Sequence, residues 1–182
     1  EVEVLRELDH PHILHILPIP GSAASRYLAR ASNVAGELWY YAVEFLAGGT
    51  LDSLLREPGR LSVPGAIALV AQICQALDHC HSRHIFHCDV KPVNIFFRRP
   101  WGGSATPDTV LAGFGSARRM GQPVQPCGST FYMAPELLSE GSVDNAADGA
   151  PADVYALGVC LYRMLTGRHP FEGRSLRSRR AA

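Results

Sequence analysis

The sequence has no excess charge of either sign and no long hydrophobic run. Its 17 basic residues (Lys and Arg) balance 17 acidic residues (Asp and Glu), so no overall field favours nucleic acid or an anionic membrane surface. The longest apolar stretch, residues 66–77, is interrupted by Gln72 and Gln75 and is shorter than the about 20 residues that cross a bilayer. We therefore expect neither a nucleic-acid partner nor a membrane partner.

A cysteine pairing pattern, an internal repeat and a signal peptide are also missing. The N-terminus is acidic and periodic, unlike a secretory leader. The cysteines are odd in number and scattered: Cys74, Cys80, Cys88, Cys127 and Cys160. These absences predict reduced thiols in an intracellular protein, either cytoplasmic or nuclear.

The chain does contain helical and strand-like segments and enough apolar residues, 47% of 182, for a sizeable core. Residues 1–9 read as the end of an amphipathic helix with Leu5 and Leu8 on one face, and Pro11 ends it. The next segments are a strand over residues 14–17, a loop over 18–37, a buried strand over 38–46 and a short helix over 50–55.

Two longer helices follow. Ser62 can cap the first helix, and Pro64 is tolerated in its first turn. Spacings of three and four predict that it buries Ile67, Val70, Cys74, Leu77 and His81. The second helix begins at Asp153 and ends at Gly167 as its C-cap. Its predicted inner face is Val154, Leu157, Leu161, Met164 and Leu165.

A polar stretch between the two helices carries the chemistry. In His87-Cys88-Asp89-Val90-Lys91-Pro92-Val93-Asn94, an acid, a cation and an amide lie within six residues, and Pro92 stiffens the turn. Such a pattern places polar groups around one reacting centre. A plain surface ion pair between Asp89 and Lys91 would be worth less than about 1 kcal/mol, and it would not account for Asn94.

A zinc site is a second interpretation of this region. The segment 79–84 is rich in histidine and cysteine, and Cys88 follows it closely. However, the sequence has no C-x-x-C, and no second ligand pair stands at zinc-finger spacing. Metal binding is therefore the weaker alternative.

Further motifs follow the polar stretch in a fixed order. They are Gly113-Phe114-Gly115, then Gly128-Ser129-Thr130 leading to Ala134-Pro135-Glu136, and finally Asp153-Val154-Tyr155-Ala156-Leu157-Gly158-Val159. Together they resemble the eukaryotic-type protein kinases, whose catalytic loop reads H-R-D-L-K-P-x-N and is followed by D-F-G and A-P-E. Lys91 and Ser129 resemble the serine/threonine branch of that family.

The resemblance implies an α+β, protein-kinase-like fold that is incomplete at both ends. Residues 1–46 would be a truncated small lobe and residues 47–173 an incomplete, mainly helical large lobe. The basic tail, residues 174–182, lacks hydrophobic periodicity, so we expect it to be poorly ordered.

The resemblance also implies roles for single residues in the transfer of the ATP γ-phosphate to a protein Ser or Thr hydroxyl. Asp89 would accept the hydroxyl proton, Lys91 would balance charge on the γ-phosphate, and Asn94 would bind Mg²⁺. Ser129 would lie in the segment that meets the substrate. The residues implied in ATP binding are the gatekeeper Val43, the main chain of Glu44 and Leu46, Phe96 under the adenine, and Glu1, which in kinases pairs with a strand lysine.

Other residues would support this site. His87 and Phe114, with Leu5, would form the hydrophobic column that ties the two lobes together. Asp153 would hold the backbone of the catalytic loop.

Gly113 departs from the family pattern, because kinases carry the metal-binding aspartate of D-F-G there. Asp108 lies five residues upstream on an extended strand, roughly 16 Å away, and cannot replace it. Removing one preorganised oxyanion donor costs about 10²–10³ in rate, and we expect the loss of the main metal-binding carboxylate to cost at least as much. A pseudokinase that acts as a binding or scaffold module is therefore the alternative function. The sequence does not indicate an oligomeric state.

We predict that phosphorylation of the loop after Gly115 does not control this protein. Cys88 stands where kinases carry the arginine that binds a phosphorylated activation segment, and residues 117–127 contain no Ser, Thr or Tyr. Phosphopeptide mapping of the active protein checks this. A phosphate found in that loop and required for activity would contradict it.

Overall fold

A computed structural model describes residues 1–22, 25–31, 38–56, 59–102, 106–122, 131–138 and 149–171. Its α-helices are α1 (Val2–Leu5), α2 (Leu51–Leu54), α3 (Val63–His81) and α4 (Gly149–Thr166). The short 3-10 helices within these ranges are η1 (Pro92–Asn94), η2 (Phe114–Ser116) and η3 (Pro135–Leu138). The basic tail predicted over residues 174–182 lies outside the described residues.

Short strands form four two-stranded antiparallel sheets within the described ranges. The strands are β1 (Ile16–Leu17), β2 (Ala29–Arg30), β3 (Trp39–Tyr40), β4 (Ala42–Val43), β5 (Ile85–Phe86), β6 (Ile95–Phe97), β7 (Thr109–Leu111) and β8 (Arg118–Arg119). β1 pairs with β4, β2 with β3, β5 with β8 and β6 with β7. Helices and sheets are thus mixed, as the predicted α+β class requires.

The prediction of one buried strand over residues 38–46 is wrong. The segment forms two strands that pair with different partners and break at Tyr41. Trp39 and Tyr40 are exposed, and Phe45 keeps 90% of its surface in solvent. Aromatic and β-branched residues favour strands, but a two-stranded sheet covers only the face that packs on the core.

The predicted start of α3 is confirmed, but the predicted buried face is confirmed only in part, since Leu77 is buried and Val70 partly buried. The Ser62 hydroxyl accepts a hydrogen bond from the Gly65 N–H, and Pro64 lies in the first turn. Ile67 is 59% exposed and Cys74 is also exposed. The buried residues are Gly65, Ala66, Leu69, Ile73, Ala76, Leu77 and Cys80. The helix is apolar on most sides, so its contacts with β5, β7 and α4 decide which face is covered.

α4 begins at Gly149, earlier than the predicted start at Asp153. A Cβ at Gly149 would overlap the Phe86 ring, so glycine permits this close approach. Val154, predicted on the inner face, is 61% exposed, whereas Leu157 and Met164 are buried as predicted. The C-terminal prediction is confirmed, since Gly167 has φ +73° and donates its N–H to the Arg163 carbonyl oxygen at 2.9 Å.

One hydrophobic core joins the N-terminal segment to the large helices. It contains Leu5 and Ile13 together with residues of α3, β6, β7 and α4. Two backbone hydrogen bonds of 2.9 Å, Leu14 N–H to Leu111 C=O and Leu111 N–H to His12 C=O, fix the segment after α1 against β7. No helix within the described ranges has the length and apolar character to cross a membrane.

Two histidines meet where the turn after α1 contacts the end of α3. The rings of His10 and His79 lie 5.0 Å apart between centroids. Burial is the main cause that lowers the pKa of both below the ordinary value of 6.5. The cationic Arg83 lowers both pKa values further, whereas the charge of Asp9 opposes the shift.

We therefore predict that the free energy of unfolding falls as the pH drops from 7 to 5. Both histidines bind protons less readily in the folded chain, so the unfolded chain takes up more protons once the pH falls below about 6.5. Urea denaturation at several pH values measures this slope. His10→Asn with His79→Gln should flatten it, whereas His84→Asn, at an exposed position, serves as the control. An unchanged slope in the double variant would contradict the prediction.

Candidate active site

The buried carboxylate of Asp153 on α4 accepts hydrogen bonds from the loop that starts at His87. Its Oδ2 accepts the His87 N–H at 2.8 Å and a hydrogen bond from His81 Nε2 at 2.9 Å. Its Oδ1 accepts the Cys88 N–H at 2.8 Å. Cys88 has φ +61°, a conformation that costs a non-glycine residue about 1 kcal/mol or more. The carboxylate thus holds the backbone in a tight turn, as the resemblance implies.

His87 is fully buried and connects this loop to the segment before Gly113. Its Nδ1 accepts the Asp89 N–H at 3.2 Å, so the proton lies on Nε2, which donates to the Ala112 carbonyl oxygen at 2.9 Å. Burial lowers the pKa of His87 and keeps the ring neutral. Its ring meets Phe114 edge-on at 4.7 Å, and Leu5 lies with Phe114 in the core.

Asp89, Lys91 and Asn94 come together as the loop sequence predicts. Lys91 Nζ lies 2.7 Å from Asp89 Oδ2, and both side chains are largely buried. Asn94 Nδ2 donates to the same Oδ2 at 3.0 Å and to the Asp89 carbonyl oxygen at 2.8 Å. The carboxylate is therefore fixed by a cation and an amide. A carboxylate held in this way can accept a proton from a correctly placed hydroxyl.

Gly113 and Asn94 share one small space. Gly113 has φ +78° and ψ +43°, in the left-handed region where glycine has no steric penalty. An added Cβ would lie 2.6 Å from Asn94 Oδ1. The Asn94 amide thus extends into the space that a side chain at position 113 would need.

The residues implied in adenine binding lie at the margin of the core: Val43, Glu44, Leu46 and Phe96. The Glu44 N–H donates to the His15 carbonyl oxygen at 3.0 Å, and no donor in the described segments reaches the Glu44 carbonyl oxygen. The Glu44 carboxylate accepts from Arg98 Nε at 3.0 Å and Nη2 at 3.1 Å. Burial alone would raise the pKa of Glu44, but hydrogen bonds from Arg98 and His15 hold it below its ordinary value.

Glu1 lies beside the segment that contains Gly113. A Cβ added at Gly115 would be 3.7 Å from Glu1 Oε2. The Glu1 carboxylate also contacts Tyr41, and burial together with this acceptor raises the pKa of the Tyr41 hydroxyl to about 12. Tyr41 could not be predicted from the sequence, because a contact between residues 40 positions apart leaves no local pattern.

Two other predicted features have different outcomes. Ser129 lies outside the described residues. The Asp108 carboxylate does not take the place of an acid at position 113, because it accepts a hydrogen bond from Arg98 Nη1 at 3.1 Å. No three His, Cys, Asp or Glu side chains in the described ranges are grouped as metal ligands, so the zinc interpretation finds no ligand set there.

The comparison with protein families agrees with this geometry. The protein kinase domain model matches residues 1–181. The chain belongs to the protein kinase family. The α+β, protein-kinase-like fold predicted from the motifs is thereby confirmed. The family implies ATP, a divalent metal and protein substrates in general terms.

Several curated serine/threonine kinases are similar to this kinase chain. It is 33% identical over 181 residues to a probable serine/threonine-protein kinase, fhkD, of Dictyostelium discoideum, and the match covers 94% of the chain and 22% of the relative. It is 33% identical over 172 residues to DCLK3 of Mus musculus, covering 94% and 19%. It is 34% identical over 181 residues to PknB of Mycobacterium leprae, covering 96% and 26%. The chain thus spans about a quarter or less of these relatives.

Sequence analysis also missed a polar group beside the kinase loop. Arg163 Nη1 donates to Asp52 Oδ1 at 2.9 Å and to the Tyr132 hydroxyl oxygen at 2.8 Å. These residues come from α4, α2 and the segment before η3. No local spacing relates them, so only the folded chain shows that they meet.

We predict that Asp153→Asn destabilises the kinase fold by about 3 kcal/mol, because three donors point at the carboxylate and an amide cannot accept from all of them. Urea denaturation measures the free energy of unfolding. Asp78→Asn, an exposed position on α3, is the matched control and should change it by less than about 0.5 kcal/mol. Equal stability of the two variants would contradict the prediction.

Proposed function

We propose that this chain is the central part of a serine/threonine protein kinase that transfers the ATP γ-phosphate to a protein hydroxyl. The observation that carries the proposal is the Asp89 carboxylate, which lies 2.7 Å from Lys91 Nζ and 3.0 Å from Asn94 Nδ2. The names of the relatives favour a catalytic function over a scaffold function.

Asp89 orients the substrate hydroxyl and accepts its proton. The hydroxyl oxygen bonds to the γ-phosphorus, the bond from that phosphorus to the β–γ bridging oxygen breaks, and ADP leaves. Lys91 balances the charge of the transferred group, since its ammonium already lies beside Asp89. Phosphoryl transfer depends mainly on positioning and electrostatics. The hydrogen bonds that Asp153 accepts from the loop backbone supply that positioning.

ATP binds between residues 43–46 and β6. Val43, Leu46 and Phe96 are partly buried apolar side chains that offer a surface for adenine. The Glu44 carbonyl oxygen and the Leu46 backbone supply the polar contacts, because the Glu44 N–H already bonds to His15. Glu1, beside Gly115, faces the phosphate end of the same site. The boundary between the two lobes follows residue 46.

The divalent metal is Mg²⁺. The residues present supply one of the two protein ligands that kinases use, the amide of Asn94, and lack the carboxylate at position 113. The Asn94 amide oxygen has no hydrogen-bond partner in the described part of the chain, and it is a suitable oxygen ligand. Position 113 offers no carboxylate, and the Asn94 amide already occupies the space there. When bound, the ion would neutralise phosphate charge, with the nucleotide supplying most ligands. The metal site is therefore weaker than one with an aspartate at position 113.

Two further expectations belong to this proposal. Ser129 lies in the segment that meets the substrate Ser or Thr. The protein works inside the cell, in the cytoplasm or nucleus, as the odd number and scattered spacing of its cysteines suggest.

Radiolabelled transfer from ATP to a generic protein substrate tests the function in the full-length protein. Asp89→Asn should lower the rate at least about 100-fold, because the general base is lost. Asp78→Asn, an exposed acid on α3, should leave the rate unchanged. Equal transfer by the wild type and Asp89→Asn would contradict the proposal.

Gly113→Asp separates a kinase from a pseudokinase. Transfer by the wild type supports a kinase, whereas transfer that appears only in Gly113→Asp supports a pseudokinase. Asn94 must move for the aspartate to fit, since the added Cβ would lie 2.6 Å from its Oδ1. A thermal melt of the variant therefore accompanies the assay.

A further inference from the structure

A cavity of about 580 Å³ opens beside Lys91. Lys91, Pro92 and Val93 form one wall, directly after Asp89 in the chain. Arg163 and Tyr132 contribute the opposite polar groups. A protein substrate whose hydroxyl reaches Asp89 must therefore place its neighbouring residues in or near this space.

The polar lining of the cavity is rich in hydrogen-bond donors. The Tyr132 hydroxyl oxygen accepts from Arg163 Nη1, so its own O–H can point elsewhere. Burial is the main cause that raises the pKa of Tyr132, so this donor stays protonated at neutral pH. Lys91 adds an ammonium group. The cavity is therefore suited to an anion and unsuited to a cation.

Arg163 is held in place without using all its donors. Its Nη1 contacts Asp52 and Tyr132, whereas its Nε and Nη2 make no hydrogen bond to any described residue. Its side chain is about three-quarters buried, with 25% of its surface exposed. A fixed guanidinium whose Nε–H and Nη2–H have no partner among the described residues can bind a carboxylate through that edge at little entropic cost.

Asp52 limits how much negative charge the cavity accepts. Its carboxylate lines the same space and neutralises part of the Arg163 charge. A singly charged carboxylate meets less repulsion from Asp52 than a doubly charged phosphate does. The apolar Val93 and Phe131 can cover the methylene groups of the incoming side chain.

We propose that this cavity binds an aspartate or glutamate side chain of the protein substrate, close to the accepting Ser or Thr, and that Arg163 determines this specificity. The inference rests on the proposed kinase function, since it identifies a feature of its substrate. Arg163 is a specificity residue and takes no part in the transfer itself.

Peptide binding to the full-length protein, measured by fluorescence polarisation without ATP, tests the proposal. The peptides carry one Ser and otherwise neutral residues, with a single Glu, Gln, Lys or phosphoserine placed at each flanking position in turn. At one or more positions the Glu peptide should bind about tenfold more tightly than the Gln peptide, the gain from one charge-assisted hydrogen bond. The Lys peptide should bind most weakly.

Variants of the Asp52–Arg163 ion pair test whether Arg163 causes the preference for Glu over Gln. Asp52→Asn should increase the preference for Glu over Gln, because Arg163 is then less neutralised. The double variant Asp52→Asn with Arg163→Gln should abolish the preference for Glu over Gln. It removes both charges of the ion pair, so neither is left buried without its partner. Arg168→Gln, an exposed residue just after α4 that does not line the cavity, is the matched control. Thermal melts show whether each variant is folded.

Equal binding of the Glu and Gln peptides would overturn the inference, and so would a preference that survives in the double variant. Tighter binding of phosphoserine than of glutamate would also overturn it. Phosphate transfer without a Glu preference counts against this inference alone. A Glu preference that depends on Arg163, in a protein that transfers no phosphate, supports the inference and counts against the proposed function alone.

Discussion

The geometry of the active site depends on one buried carboxylate. Asp153 receives hydrogen bonds from two successive backbone N–H groups, those of His87 and Cys88, and from the His81 ring. It thereby ties the rigid helix α4 to a loop whose backbone would otherwise relax out of its left-handed turn at Cys88. The position of Asp89, and with it that of its contacts with Lys91 and Asn94, follows from this attachment.

Gly113, where kinases carry an aspartate, differs from the family pattern together with its local structure. The backbone there is left-handed, which glycine adopts freely, and the Asn94 amide extends into the vacated space. The amide simultaneously bonds to Asp89. The change is therefore accommodated by the remaining residues, and restoring the aspartate would require the amide to rearrange as well as adding a charge.

Features encoded within a few consecutive residues could be predicted from the sequence, and features that depend on distant contacts could not. The loop from Asp89 to Asn94 and the Ser62 cap are local, so their residue types indicate their geometry. The covered face of α3 was predicted only in part, because the helix is apolar on two neighbouring faces. Contacts with other elements, and not the spacing, determine that Leu69 is buried while Ile67 is exposed. Likewise, Arg163 meets Asp52 across 111 positions, which leaves no local pattern in either segment.

Lys91 is distinguished from the other basic residues by both its chemical type and its position. All other basic side chains in this sequence are arginines, so Lys91 carries its only side-chain primary amine. That amine lies between the Asp89 carboxylate and the cavity lined by Arg163. A reagent that acylates amines therefore modifies a single side chain in this region, and a change in its reaction rate reports directly on whether an added ligand covers Lys91.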